Sequence, residues 1–271
     1  GCPDDGTKLV SWIHCTIKSS KEAAIGFRSF KEARQCYQKF DCHVFVSNGV
    51  KNAFSKQISV AMPCVLYNTM DSEEIKAQAQ KSIKGQAFPK DTYKLVAVGK
   101  LEPVKGFDRL LHIHKRLLLE DHLPVHLYLL GEGSERNRLE EWTAENKLQD
   151  SVTFLGYQTN PYKYIAACDL FVCSSYAEGF STAATEALII GTPVVTTRVS
   201  GMEELLGDNE YGIITENEEK SLYHGIKDML LLPGRLKHYR QKAQERGISF
   251  NSSQTVRAVE NMLESIIRKK L

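Results

Sequence analysis

Two lysines and two glutamates stand out for where they fall. Lys100 and Lys105 share the segment Gly99-Lys100-Leu101-Glu102-Pro103-Val104-Lys105-Gly106, directly after the apolar run 94–98. Glycines let backbone approach a ligand and lysines supply positive charge, so this loop could hold an anion; a solvated turn is the plainer alternative. Glu178 and Glu186 bracket Gly179, Phe180, Ser181 and Thr182. Small residues and a hydroxyl at a helix start expose backbone N–H groups at the positive end of the dipole, which makes a phosphate seat. Glu186, one turn inside, could accept from ribose hydroxyls, and Glu178 stands ahead of the helix where a sugar could lie. Taken alone, the segment also reads as an N-terminal cap with a surface glutamate. A third segment, Gly131-Glu132-Gly133-Ser134, begins like a dinucleotide fingerprint but has Arg136 at the third glycine position. No acidic residue follows at the distance that ribose recognition in that motif needs, so a nicotinamide cofactor is not expected.

These residues need a scaffold that gathers loops at one edge. From residue 94 onward, short apolar runs alternate with amphipathic segments: strands at 94–98, 125–130, 152–155, 169–173, 193–196 and 212–214, and helices through 107–118, 134–146, 182–190 and 218–231. That rhythm predicts an α/β fold with a doubly wound parallel sheet, in which ligands bind beyond the carboxyl ends of the strands. Residues 1–70 repeat the pattern in shortened form, with strands at 9–13 and 43–46 and helix near 31–39, and predict a partial second α/β domain. Residues 71–92 are polar and read as a linker with some helix in it, opening a domain that runs to 250. Residues 251–271 carry Val256, Val259, Met262, Leu263 and Ile266 at helical spacing behind Asn251 and Ser252 as N-caps. This final helix needs an apolar surface, sought in the N-terminal part.

Composition narrows the class. The chain has 271 residues, 42% hydrophobic and 25% charged, with a net charge of +2. Disorder, a coiled coil and a nucleic-acid-coating field are therefore not expected. Seven cysteines form no CxxC pair and read as reduced core residues. No Asp-x-Asp triplet occurs, and no metal site is expected. The first residues lack a signal-peptide pattern and no apolar run is of spanning length, so a cytoplasmic protein is the default. Arg235, Lys237, His238, Arg240, Lys242 and Arg246 lie on one helical stretch, either a solvated face or a peripheral contact with an anionic inner membrane surface.

The motifs VGKLEPVKG (98–106), LLGEGSER (129–136), VTFLGY (152–157), CDLFVCSSYAEGFSTAATEALIIGTPVV (168–195) and VSGMEELL (199–206) together resemble the retaining nucleotide-sugar glycosyltransferases of family four, also called group one. That family is built from two facing Rossmann-like domains. WIHC (12–15), YQKFD (37–41), HVFVSNGVKNAF (43–54) and VLYNTMD (65–71) resemble, more weakly, the close of its N-terminal, acceptor-side domain, whose earlier half has no counterpart here. The resemblance implies that Gly99, Lys100 and Lys105 meet a donor diphosphate, helped by backbone at Ser181 and Thr182. Glu186 would hold the ribose, and Glu178 with Gly179 and Phe180 would meet the transferred sugar. The family usually has arginine where Lys100 stands, which makes this contact a point charge instead of a fork. Tyr157 is a candidate for stacking on the base. His14 falls where the family often has a histidine near the reacting sugar, although a lone histidine at a strand end is commonly structural.

The resemblance implies a glycosyltransferase that moves a sugar from a nucleotide-diphosphate sugar, UDP- or GDP-linked, to a glycan or lipid-linked acceptor. The departing diphosphate needs cationic help, and without a metal motif Lys100, Lys105 and the helix start would give it. Glu178, Lys105 and His14 are the catalytic candidates. Two alternatives stay open: a donor-binding accessory subunit or fragment inactive alone, and a sugar-nucleotide epimerase.

Overall fold

The structure is a computed structural model and describes residues 5–83, 85 and 88–268. In chain order its elements begin with β1 (Val10–Ile13), α1 (Ser20–Ala23), α2 (Phe30–Tyr37), β2 (Cys42–Phe45), α3 (Asn48–Ser55), β3 (Pro63–Val65) and α4 (Ser72–Ala79). Then come β4 (Tyr93–Val98), a 3-10 turn (Pro103–Lys105), α5 (Phe107–Leu119), β5 (Val125–Leu130), α6 (Arg136–Glu145), β6 (Val152–Gly156), α7 (Tyr162–Ala167) and β7 (Leu170–Cys173). The chain continues through α8 (Thr182–Ile190), β8 (Val194–Thr197), α9 (Met202–Leu206), β9 (Ile213–Thr215), α10 (Glu219–Leu231), α11 (Arg235–Ile248) and α12 (Ser252–Arg268).

Two compact units result. The smaller holds the chain up to Thr69, the three residues Glu178–Phe180 and the chain from Asn251; the larger holds Met70–Ala177 and Ser181–Phe250. In the smaller unit β1, β2 and β3 form a parallel sheet in that order. Side chains alternate between its faces, so Ile13 and Phe45 pack with Val50, Phe54 and Ile58 on one side. On the other, Cys42 and Val44 pack with Met262 and Ile266 of α12. Asn251 starts α12 by accepting from the Ser253 amide at 2.8 Å, while Ser252, the other expected cap, is already helical. Serine caps start the short helices: Ser29 accepts from Glu32 N and Ser47 from Val50 N.

The larger unit is a six-stranded parallel sheet in the order β6-β5-β4-β7-β8-β9. The chain runs outward from β4 to β6, then returns to the other side of β4 as β7. This reversal opens a crevice at the carboxyl ends of β4 and β7. Phe107, Leu110, Leu111 and Leu117 of α5, which recur at helical spacing with His114 in the sequence, cover the sheet. His114 on that stripe is buried and bonded to Ser151 Oγ at 2.9 Å; burial pushes it down to about 3, so it stays neutral.

Three expectations need correction. Residues 71–92, read as a linker with some helix in it, do hold a helix, but α4 is part of the packed unit: it buries Ile75, packs against α7 and α8, and its Gln78 carbonyl accepts from Asn160 Nδ2 at 2.9 Å. With one buried isoleucine in a polar stretch, the sequence showed some helix there but not that it packs into the domain. Glu178–Phe180, expected within the 71–250 domain, group with the smaller unit because their backbone bonds to it. The cysteines are not uniformly core: Cys42, Cys168 and Cys173 are buried, but Cys36 is half-buried and Cys15 exposed. Cys2 lies outside the described residues.

Candidate functional site at the carboxyl edge of the larger sheet

Backbone pairing beyond the strand ends builds the site. Past β4 and β5 the ladder continues, with Gly99 N donating to Leu130 O at 3.0 Å and Leu101 N to Glu132 O at 2.9 Å. The two loops then lie directly on each other. Gly131 has φ of 140°, and a Cβ there would sit 1.8 Å from Gly99 O; a Cβ on Gly133 would sit 2.4 Å from Leu101 O. The glycines that look like a broken fingerprint therefore serve loop-on-loop approach. Beside them opens a cavity of about 510 Å³ lined by Gly99, Lys100, Gly131, Glu132, Tyr157 and Tyr162, among others. Lys100 is exposed at this cavity, and Tyr157 stands 74% exposed.

Lys105 ends the 3-10 turn, closed by Gly106 at φ of 63°. Ser174 Oγ donates to the Lys105 carbonyl at 3.0 Å, and the Lys105 side-chain carbons lie 3.7 Å from the place of a Gly99 Cβ. Both lysines thus belong to one short loop anchored on Gly99.

Glu186 sits in α8, and Tyr162 Oη donates to its Oε1 at 3.3 Å. Burial pushes the Glu186 carboxyl up to about 7, with the tyrosine bond pulling the other way. Burial, then the nearby Glu186 charge, pushes the Tyr162 phenol up to about 12. Tyr162, which the sequence did not single out, is therefore the residue that lines the cavity and also holds Glu186. Ser181 is the α8 N-cap: its Oγ accepts from Ala184 N at 3.3 Å and its carbonyl from Thr185 Oγ1 at 2.9 Å. The hydroxyl is spent on the cap, and what Ser181 leaves for an anion are the first-turn amides, which have no intrahelical acceptor. Thr182 at that start is exposed.

The remaining candidates gather in the smaller unit. Thr16 Oγ1 donates to Glu178 O at 2.7 Å, and Ser47 Oγ donates to Gly179 O at 2.9 Å while capping α3. A Cβ on Gly179 would meet His14 O at 1.8 Å, so only glycine lets this segment lie against the end of β1. Phe180 joins the apolar cluster of Ile13 and Phe45 and lies 5.4 Å from the Tyr67 ring. His14 is exposed and stacks on Trp12 at 6.5 Å. Thr16 and Ser47 escape a reading of the sequence because a hydroxyl that bonds a backbone carbonyl far along the chain has no local pattern.

In the basic stretch 235–246, three of the six basic side chains bond to the protein, while Lys237 and His238 are exposed. Arg246 donates to Leu205 O and Glu204 O, Lys242 pairs with Glu245 at 2.8 Å and Arg235 with Asp228 at 3.8 Å. No helix among the described residues is long and apolar enough to cross a membrane.

The cavity, the paired loops and α8 fall within residues 78–246, the stretch that matches the family model described as glycosyl transferases group 1. The chain belongs to this family. Among the relatives of this chain is the N-acetylgalactosamine-N,N'-diacetylbacillosaminyl-diphospho-undecaprenol 4-alpha-N-acetylgalactosaminyltransferase of Campylobacter jejuni. It is 35% identical over 195 residues, 71% of this chain and 51% of the relative. The lipopolysaccharide core biosynthesis glycosyltransferase LpsE of Rhizobium meliloti is 33% identical over 128 residues, 47% of this chain and 36% of the relative. The chain thus spans about half of the first relative's length and about a third of the second's. In fold, the chain is similar to the crystal structure of Anabaena Alr3699/HepE in complex with UDP and glucose. The TM-score is 0.81 at 21% identity, over 95% of this chain and 72% of that one.

Proposed function

We propose that this group-one transferase binds a nucleoside-diphosphate sugar in the larger unit and serves transfer of the sugar to a glycan or lipid-linked acceptor. One observation carries the reading: a cavity at the carboxyl ends of the strands has Gly99 and Lys100 on its wall and Tyr162, with Glu186 bonded to it, alongside. Lysines suit the diphosphate, a carboxylate suits ribose hydroxyls, and the exposed Tyr157 face suits a base. Leaving-group charge is met by Lys100, Lys105 and the α8 amides without a metal, with retention at the anomeric carbon. Glu178, Gly179, Phe180 and His14 are assigned to the transferred sugar. The names of the Campylobacter and Rhizobium relatives support a diphospholipid-linked or lipopolysaccharide acceptor. The UDP complex of the similar Anabaena fold supports UDP as the first nucleotide to try.

Calorimetry with UDP, GDP and ADP tests the donor half; binding of none of them would end this reading. With a donor sugar and an acceptor extract, NMR of the product reports the anomeric outcome, and inversion would overturn retention. Activity abolished by a chelator and restored by a divalent ion would overturn metal independence. The match to about half of the Campylobacter relative favours a second reading, in which this chain binds donor and turnover needs further protein. UDP binding without donor hydrolysis or transfer would select it.

A further inference from the structure

Arg109, in the first turn of α5, is 3% exposed, and burying a guanidinium is costly unless its donors are used. Its Nε donates to Ser174 O at 2.7 Å and its Nη1 to Asn217 Oδ1 at 2.9 Å, while the plane lies 3.9 Å from the Tyr176 ring centroid. Its Nη2 is buried with no hydrogen-bond partner. One side chain therefore ties the loop after β7 to the loop after β9. The three residues it touches, Ser174, Asn217 and Tyr176, are in turn bonded to the lysine turn or to one another. Ser174 Oγ donates to Lys105 O at 3.0 Å, Tyr176 N to Val104 O at 2.8 Å, and Asn217 Nδ2 to Tyr176 O at 2.9 Å. Gly106 completes the fit, since a Cβ there would meet Ser174 O at 2.2 Å and Arg109 Nε at 2.9 Å.

An apolar residue would fill this place at lower desolvation cost, but none could bond two loops and stack on a third group at once. We infer that Arg109 is a positioning residue for Lys105: it fixes the turn so that the lysine stem crosses Gly99 and its ammonium is delivered to the donor diphosphate. The inference rests on the donor-binding reading above and deepens it.

The test uses the full chain and four proteins: wild type, Lys105→Ala, Arg109→Gln and the double variant, titrated with UDP and with UMP. Arg109→Gln is expected to weaken UDP about tenfold while UMP changes less than about twofold, and to add less than about twofold to Lys105→Ala. Effects of the two substitutions that multiply, or an equal loss for UDP and UMP, would overturn it. A residue that merely supports the fold would weaken both ligands alike. A second measurement needs no ligand: amide exchange should accelerate at 104–107 and 174–177 in Arg109→Gln and in the milder Asn217→Ala, with β4 and β5 unchanged. Unchanged exchange in those segments would refute the positioning role even if Arg109→Gln does not fold, because Asn217→Ala still decides. Wild type that fails to bind UDP would count against the donor reading, and the exchange result would still judge Arg109.

Discussion

The two ends of the larger sheet solve opposite problems. At the carboxyl end, a cavity of about 510 Å³ has Gly99 and Gly131 in its wall, and two of its polar side chains, Lys100 and Tyr157, are exposed. At the amino end, a cleft of about 400 Å³ is lined by Asp91, Thr92, Lys94, Asp169 and Leu236, among others. There Asp169 accepts from Lys94 N at 2.8 Å and lies 3.5 Å from Lys94 Nζ, so the charges answer each other. One end presses backbone against backbone and keeps Lys100 and Tyr157 exposed, while Glu132 there pairs with Arg136 at 2.6 Å and Tyr162 with Glu186 at 3.3 Å. The other uses its functional groups on itself. The carboxyl end is distinguished less by the presence of charge than by backbone packing that brings two glycine loops together beside a cavity.

The sharpest way to break this contrast is Gly131→Ala. A side chain at φ of 140° against the Gly99 carbonyl should cost about 3 kcal/mol and lower the melting temperature by about 10 °C. UDP binding should fall with it, and thermal denaturation with calorimetry would read both. Next is Lys105→Ala, which should weaken UDP by about 10- to 100-fold, the worth of a charge-assisted hydrogen bond, with little change in melting. Unchanged UDP affinity would remove Lys105 from the donor site.

Glu186 gives a smaller, pH-dependent effect. Its carboxyl titrates near 7 when folded, above the usual carboxylate range, so the native state keeps a proton that the unfolded state has lost. Its contribution to stability is therefore present below the unfolded value and is lost as pH rises through about 7. Urea denaturation at pH 5 and pH 8 should show this slope in wild type and not in Glu186→Gln. Nucleotide affinity should move the other way, rising with pH as the carboxylate becomes a full acceptor. Comparing wild type with Glu186→Gln removes the nucleotide's own ionisation. The smallest effect is expected at the amino end: Asp169→Asn should cost about 1 kcal/mol and leave UDP affinity unchanged. A loss of UDP binding there would erase the contrast.

The strands and the loops that carry chemistry were legible because a fully buried parallel strand must be apolar throughout, as in Val125–Leu130. The match of α8 to 182–190 follows from the Ser181 cap and the Gly191 stop at φ of 90°. Less legible were helices with little apolar signal. α9 is five residues long, and α4 buries only Ile75. Contacts through hydroxyls and guanidinium left no trace either, because Ser47, Thr16 and Arg109 find partners from 65 to 162 residues away.

The sequence by itself determined the doubly wound sheet, the positions of Lys100, Lys105 and Glu186 at its carboxyl edge, and the family. Periodicity and short motifs are local properties, written by backbone sterics and the need to bury one face. Tertiary structure alone decided that Gly131 and Gly133 support a neighbouring loop and that Tyr162 holds Glu186. It also decided that Glu178–Phe180 bond into the smaller unit. Those outcomes depend on which atoms meet when distant segments close to within a few ångströms, and no spacing along the chain encodes them.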